Sequence, residues 1–133
     1  MCTELLIACG EPLPIPEWLP PGRSIYVCEC PNSQDAVAIF SKPYLYAIGT
    51  RQTVDGCGFQ GEDTEARRAR EELAAFLDRV LELVSDLEMY VAWHDFGDSG
   101  VVPSLFDRIG PSDIRTWMSG FTPDTFFLVH RED

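Results

Sequence analysis

The stretch TEARRAREELAAFLDRVLELVS, Thr64 to Ser85, puts apolar side chains at Ala66, Ala69, Leu73, Phe76, Leu77, Val80, Leu81 and Val84. Steps of three and four are the period of one helical face, so the spacing predicts an amphipathic helix of about 33 Å at roughly 1.5 Å per residue. Asp63 or Thr64 is the expected N-cap, and Glu65 sits well against the positive helix end. Arg67, Arg68 and Arg70 stand beside Glu71 and Glu72. The i,i+4 spacing of Arg67 with Glu71 and of Arg68 with Glu72 reads as a solvated face. A helix with one apolar face needs a surface to bury it against, and the flanking segments supply a sheet.

Upstream, Tyr44 to Thr50 is rich in aromatic and aliphatic residues and reads as a strand; downstream, Met89 to Asp95 reads as another. A strand, a crossover helix and a strand in one sheet make a parallel unit. The two strands are therefore expected as parallel neighbours that end at one sheet edge, where open α/β sheets place ligands. Further out, Glu4 to Cys9 is apolar on both faces, with Leu5, Ile7 and Cys9 opposite Leu6 and Ala8, and is expected in the sheet interior. Ser24 to Cys30 alternates, with Tyr26, Cys28 and Cys30 opposite Ile25, Val27 and Glu29. Ser33 or Asp35 is placed to cap a short helix through Phe40, which Pro43 stops. The proline-rich stretch at about residues 10–23 lacks amide donors and reads as an extended surface arm. In the tail, Pro111 to Arg115 and Thr125 to His130 are expected to pair as an antiparallel hairpin around Ser119 and Gly120. The expected fold is α+β: one domain over residues 1–133, a mixed sheet of about five strands, and the Thr64–Ser85 helix packed on one face.

Composition narrows the function classes. The chain has 133 residues, 45% hydrophobic and 11% aromatic, an ordinary globular balance. Its 22 acidic and 10 basic residues give a formal net charge of −12, which repels nucleic-acid phosphates and anionic lipid over most approaches. No apolar run is long enough for a membrane span, and an acid, Glu4, stands where a signal peptide carries a base. The expectation is a cytoplasmic protein. Cys2, Cys9, Cys28, Cys30 and Cys57 form an odd set that reads as reduced thiols, mostly small buried apolar groups.

Gly56-Cys57-Gly58-Phe59-Gln60-Gly61 matches the G-x-G-x-x-G string letter for letter. Dinucleotide binding is disfavoured all the same: five residues separate it from the strand, and Asp55, Glu62, Asp63 and Glu65 crowd the place of the phosphates. Gly97-Asp98-Ser99-Gly100 copies the nucleophile string of chymotrypsin-like proteases on a chain about half as long as that double barrel, with no histidine well upstream. Asp95-Phe96-Gly97 copies a kinase triplet without its lysine and catalytic loop. Cys2 as an N-terminal nucleophile would need a larger layered fold.

Cys57, His94 and Asp95 are the inventory of a thiol enzyme: a nucleophile, a base and a group to orient the base. The helix N-terminus lowers a nearby thiol pKa, while Asp55, Glu62 and Asp63 oppose a thiolate. The simpler account has the glycines shaping a tight connection and Cys57 packing as an apolar plug. Gly56, Gly58, Tyr46, Trp93 and Asp98 are the candidate ligand contacts at the same edge. Cys57, His94, Asp95, Asp98, Asp55 and Asp63 mix soft and hard metal ligands, but no paired C-x-x-C knuckle exists and Cys28-x-Cys30 stands alone. No metal or cofactor is therefore assigned.

Tyr46-x-x-Gly49, Gly56-Cys57-Gly58-Phe59 and Trp93-His94-Asp95 with Gly97-Asp98 together resemble a family of small uncharacterised bacterial proteins, over roughly Phe40 to Asp98. That resemblance implies a shared helix and flanking strands and carries no activity. Members often hold another cysteine near the position of Asp55, so the resemblance implies little for a metal or dithiol role here. The expected function is a non-catalytic binding or interaction protein. Its partner is a small molecule or another protein, met by the acidic surface or by an aromatic cleft built from residues such as Tyr26, Tyr44, Trp93 and Trp117. The alternatives are a thiol enzyme using Cys57 and a metal-binding module at the same edge.

Overall fold

A computed structural model describes residues 3–18, 22–29, 40–50, 59, 61–93, 105–116 and 125–131. In chain order the elements are β1 (Thr3–Cys9), α1 (Ile15–Trp18), β2 (Ile25–Glu29), β3 (Tyr44–Thr50), α2 (Thr64–Leu83), β4 (Asp86–Trp93), β5 (Leu105–Ile109), α3 (Pro111–Arg115) and β6 (Thr125–His130). Six strands form one mixed sheet in the order β2-β3-β1-β4-β6-β5. All adjacent pairs are antiparallel except β5 with β6.

A simpler rule underlies that order. β1 and β2 run the same way, as do β3 and β4, and β5 and β6, so the chain is three successive parallel crossovers. α2 makes the second crossover and α3 the third. The first is made by the proline-rich arm, which the sequence presents as extended and which holds the single-turn α1 instead of a full helix. The prolines leave few donors to satisfy; the buried Leu13 N–H is met by Tyr46 Oη at 2.8 Å. Trp18 then meets Phe76 edge to face at 6.0 Å, with the Arg79 guanidinium 5.1 Å from the Trp18 ring centre. Arm, α2 and α3 thus share one face of the sheet, since Leu13, Phe76 and Ile114 belong to one buried cluster with Leu5, Ile7 and Met89.

The pleat explains which side chains build that core. Leu5, Ile7 and Cys9 of β1, Ile25 and Val27 of β2, Tyr46 and Ile48 of β3, Leu87, Met89 and Val91 of β4, and Phe127 and Val129 of β6 all point toward α2. Leu6, Ala8, Leu45 and Tyr90 point the other way and are buried around Phe40, whose ring lies 5.9 Å from that of Phe126. β1 is therefore apolar on both sides because it is covered on both sides, as its sequence requires. Gly49 lies under the Tyr26 ring: a Cβ there would come 2.6 Å from Tyr26 Oη, so a larger residue would displace that ring.

α2 buries Ala66, Ala69, Leu73, Phe76, Leu77, Val80 and Leu81 as the spacing predicts, together with Ala74 and Arg70. Each larger aliphatic or aromatic side chain among them contributes about 2 kcal/mol of apolar burial. Asp63 caps the helix through Oδ1, which accepts the Ala66 N–H at 2.7 Å. The last turn of α2 contains no basic residue, and Arg131 supplies one from beyond β6: Nε donates to Leu81 O at 2.7 Å and Nη2 to Val84 O at 3.3 Å.

Three expectations change. The third and fourth strand segments do end at one sheet edge, but they are not neighbours: β1 lies between them, with Leu5 opposite Ile48 on one side and Val91 on the other. Pro111 to Arg115 is a helical turn, not a strand, because Pro111 opens it and Asp113 Oδ2 accepts the Gly110 N–H at 3.0 Å. The sheet is mixed because β6 pairs in parallel with β5, a strand the sequence reading passes over. The proposed short helix before Phe40 lies outside the described residues, as do Ser119 and Gly120. No helix among the described residues is long and apolar enough to cross a membrane.

Candidate functional site

The edge where β3 and β4 end also holds the starts of β1, β2, β5 and β6, since Thr50 faces Ile25, Trp93 faces Thr3, and Thr125 faces both Val91 and Leu105. With one strand between them, β3 and β4 run about 10 Å apart. Of the candidate catalytic and ligand residues, Cys57, His94, Asp95, Gly56, Gly58 and Asp98 lie outside the described residues, as does the candidate metal ligand Asp55. Trp93 closes β4 through its backbone, opposite Thr3.

What is described is the frame around that loop. Phe59, the fourth residue of the glycine-rich string, is 0% exposed in the core beneath α2. Its carbonyl accepts a hydrogen bond from Arg70 Nη1 at 2.7 Å, and the Gly61 carbonyl accepts a second from the same nitrogen at 2.8 Å. Gly61 has φ +104°, a conformation that only glycine adopts without strain. The string thus ends on a buried aromatic plug, two carbonyls tied to one guanidinium, and a left-handed turn into α2. Asp63 serves here as the helix cap.

Tyr46 is 4% exposed on the α2 side, and its hydroxyl holds the proline-rich arm through Leu13. The proposed aromatic cleft does not form from Tyr26 and Tyr44. Tyr26 lies opposite Gly49 on the face away from α2, whereas Tyr44 shares the face of Tyr46 at the start of β3, five residues before Gly49. Alternation of side chains across the pleat separates the two rings. The side chain of Trp93 and all of Trp117 lie outside the described residues.

Two cysteines outside any disulfide are described and they differ. Cys9 is buried, its Sγ donating to Glu11 O at 3.1 Å, and burial pushes its thiol above the ordinary value. Cys28 is exposed on the edge strand β2. Among the described residues no group of three or more His, Cys, Asp or Glu is arranged to hold a metal ion.

Burial also raises the Tyr46 phenol. Both shifts have one sign: the folded state favours the protonated form, so the stability these groups contribute is complete below their ordinary values, 9.0 for the thiol and 10.0 for the phenol, and is lost as pH rises through the folded ones. The urea midpoint should therefore fall as pH climbs above 9.0, and Cys9→Ala should make the first part of that fall shallower. Equal slopes for both proteins would show that the Cys9 thiol contributes nothing to the fall.

Several anchoring carboxylates escape a motif search. Glu72 Oε1 accepts the Ser24 and Ile25 N–H groups at 2.7 and 3.3 Å, fastening β2 to α2. Glu71 and Asp78 both take Arg115, at 3.1 and 3.3 Å, fastening α3 to α2. The partners of Glu71 and Glu72 found among the described residues are thus tertiary, not the helical arginines expected from i,i+4 spacing. Arg70 does carry a legible signal, because it continues the Ala66, Leu73, Leu77 row at three-and-four spacing. Comparison with protein-family models, with curated proteins and with solved structures found no match to this chain.

Proposed function

We propose that this protein is a non-catalytic binding protein that presents an acid-dominated surface to a cationic partner, a basic segment of another protein. The observation that carries this reading is where the positive charge goes. Of ten basic residues, Arg70 is buried on backbone carbonyls, Lys42 pairs with Asp86, Arg79 lies over Trp18, Arg115 takes Glu71 and Asp78, and Arg131 closes the end of α2. These five are engaged by other groups of the fold; Arg23, Arg67, Arg68 and Arg108 are exposed, and so are Glu11, Glu17, Glu29, Glu62, Glu65 and Glu82, which outnumber them. An excess of that kind steers cationic partners and rejects anionic ones.

The test uses fluorescence anisotropy with a labelled lysine-rich peptide and a glutamate-rich counterpart. The lysine peptide should bind saturably at one-to-one stoichiometry, with affinity falling as salt is raised, and the glutamate peptide should not bind. Reversing Glu62 and Glu65 to lysine should weaken the complex. Binding that never saturates, or that ignores the reversal, would show only diffuse attraction and end this reading.

A further inference from the structure

Arg70 is 2% exposed on the sheet-facing side of α2, yet it joins none of the ion pairs among the described residues. Its guanidinium is carried into the core. Taking a cation out of water is strongly unfavourable unless an anion faces it. The two carbonyls of Phe59 and Gly61 compensate in part, and both are met by Nη1. Nε is buried without a hydrogen-bond partner, and no hydrogen bond from Nη2 is found among the described residues. Nε and Nη2 lie on one edge of the guanidinium, where they form the parallel pair of donors that grips two oxygens of a carboxylate or phosphate. The contacts through Nη1 fix the plane of the group from its opposite corner, and Nε on the other edge has no partner among the described residues.

The helix start is electrostatically mixed: exposed acids line its outside, and the positive helix end faces inward. α2 starts at the sheet edge where β3 and β4 end, and its first turn carries partial positive charge. Among the described residues near the start of α2, Asp63 caps Ala66, and Glu62 and Glu65 are exposed.

We infer that Arg70 anchors an oxyanion site beneath the start of α2, taking the carboxylate or phosphate group of a small ligand through Nε and Nη2. This goes beyond the surface reading above and does not depend on it. An anion held by Nε stabilises the folded state by mass action.

The test titrates the full, nitrogen-15-labelled chain with inorganic phosphate in one arm and acetate in the other, at an ionic strength held constant with sodium chloride. The Arg70 Nε–H signal is followed by NMR and Tm by calorimetry. A saturable shift of that signal, with a rise in Tm, is the expected result. A response to phosphate alone identifies a phosphate ester as the ligand class, acetate alone a carboxylate, and both an oxyanion site of broad preference. Arg70→Lys keeps the charge but loses the two-donor edge, so its affinity for the responding anion should fall about tenfold or more. If neither anion moves the Nε–H signal of the natural chain, or if Arg70→Lys binds as tightly, the inference is overturned; the first of these outcomes needs no variant to fold.

Discussion

Leu77→Ala should lower the stability of this protein by about 3 to 5 kcal/mol and its Tm by roughly 10 °C. Leu77 is 0% exposed at the centre of the buried face of α2, packed in the cluster that includes Leu5, Ile7, Met89 and Val91. Truncation removes the transfer energy of three carbons and leaves a cavity that a six-stranded sheet on one side and a helix on the other are poorly able to close. A domain of this size has a total stability on the order of 5 to 15 kcal/mol, so the loss is a large share of it. Leu83→Ala is the internal control. Leu83 belongs to the same helix but is 52% exposed, and its truncation should stay within about 0.5 kcal/mol. Urea denaturation of both variants checks the contrast, and similar losses would mean that α2 is not seated by this face.

The same pair shows why α2 was legible in the sequence and other features were not. Helical periodicity is local: Leu73, Phe76, Leu77 and Val80 fall on one side of a cylinder whatever the chain does elsewhere, and Leu83 falls off it. Strand order is not local. Nothing within Tyr44 to Thr50 or Met89 to Trp93 says that β1 will come between them, although the two-sided apolar character of β1 already pointed to an interior position. β5 was missed because Leu105 to Ile109 is short and has Asp107 and Arg108 in its middle. That charge suits an edge strand, and Asp107 Oδ1 accepts the Arg108 N–H at 2.8 Å, which blunts the open side of the sheet. Glu72 does the same for the first amides of β2. Pro111 looked compatible with a strand because the tail lacked a helical period, and a five-residue helix is too short to show one.

For the candidate site, residue types were legible and geometry was not. The glycine-rich string is recognisable by its letters, and its dinucleotide reading is disfavoured by the gap from the strand together with the crowding acids; Gly56 to Gly58 lie outside the described residues. That its last residues are held by Arg70 follows from a tertiary contact, since Phe59 and Arg70 are eleven positions apart. The arginine sat in plain view among Arg67 and Arg68, where charge outweighed spacing in the reading. Spacing was the better guide, because a helical position faces the core by geometry before the chemistry of its side chain is considered.

Glu88→Ala should cost about 3 kcal/mol or more, the second large effect expected here. Glu88 lies on β4 on the face away from α2 and is 8% exposed. Its Oε1 accepts the Ser41 and Lys42 N–H groups at 2.9 and 3.0 Å, and its Oε2 accepts the Ser41 hydroxyl at 2.9 Å. One carboxylate therefore meets three donors from the segment that carries Phe40, next to the Lys42–Asp86 ion pair at 2.9 Å. Hydrogen bonds to a charged acceptor contribute about 1.5 to 3 kcal/mol each in favourable cases, and losing the acceptor strands two backbone amides at once. Lys42 with Asp86 is half-exposed and worth at most about 1 kcal/mol, too little to hold the segment alone. Glu88→Gln separates the causes. Its single carbonyl oxygen can still accept both amides while its NH₂ group donates to the Ser41 oxygen, so a loss near 1 kcal/mol is expected if acceptor geometry dominates. Denaturant midpoints decide between the two, together with hydrogen exchange at the Ser41 and Lys42 amides, which should become fast in Glu88→Ala and stay protected in Glu88→Gln. A glutamine variant as unstable as the alanine one would show that the negative charge, not the arrangement of acceptors, fastens Phe40 over Leu6, Ala8 and Tyr90.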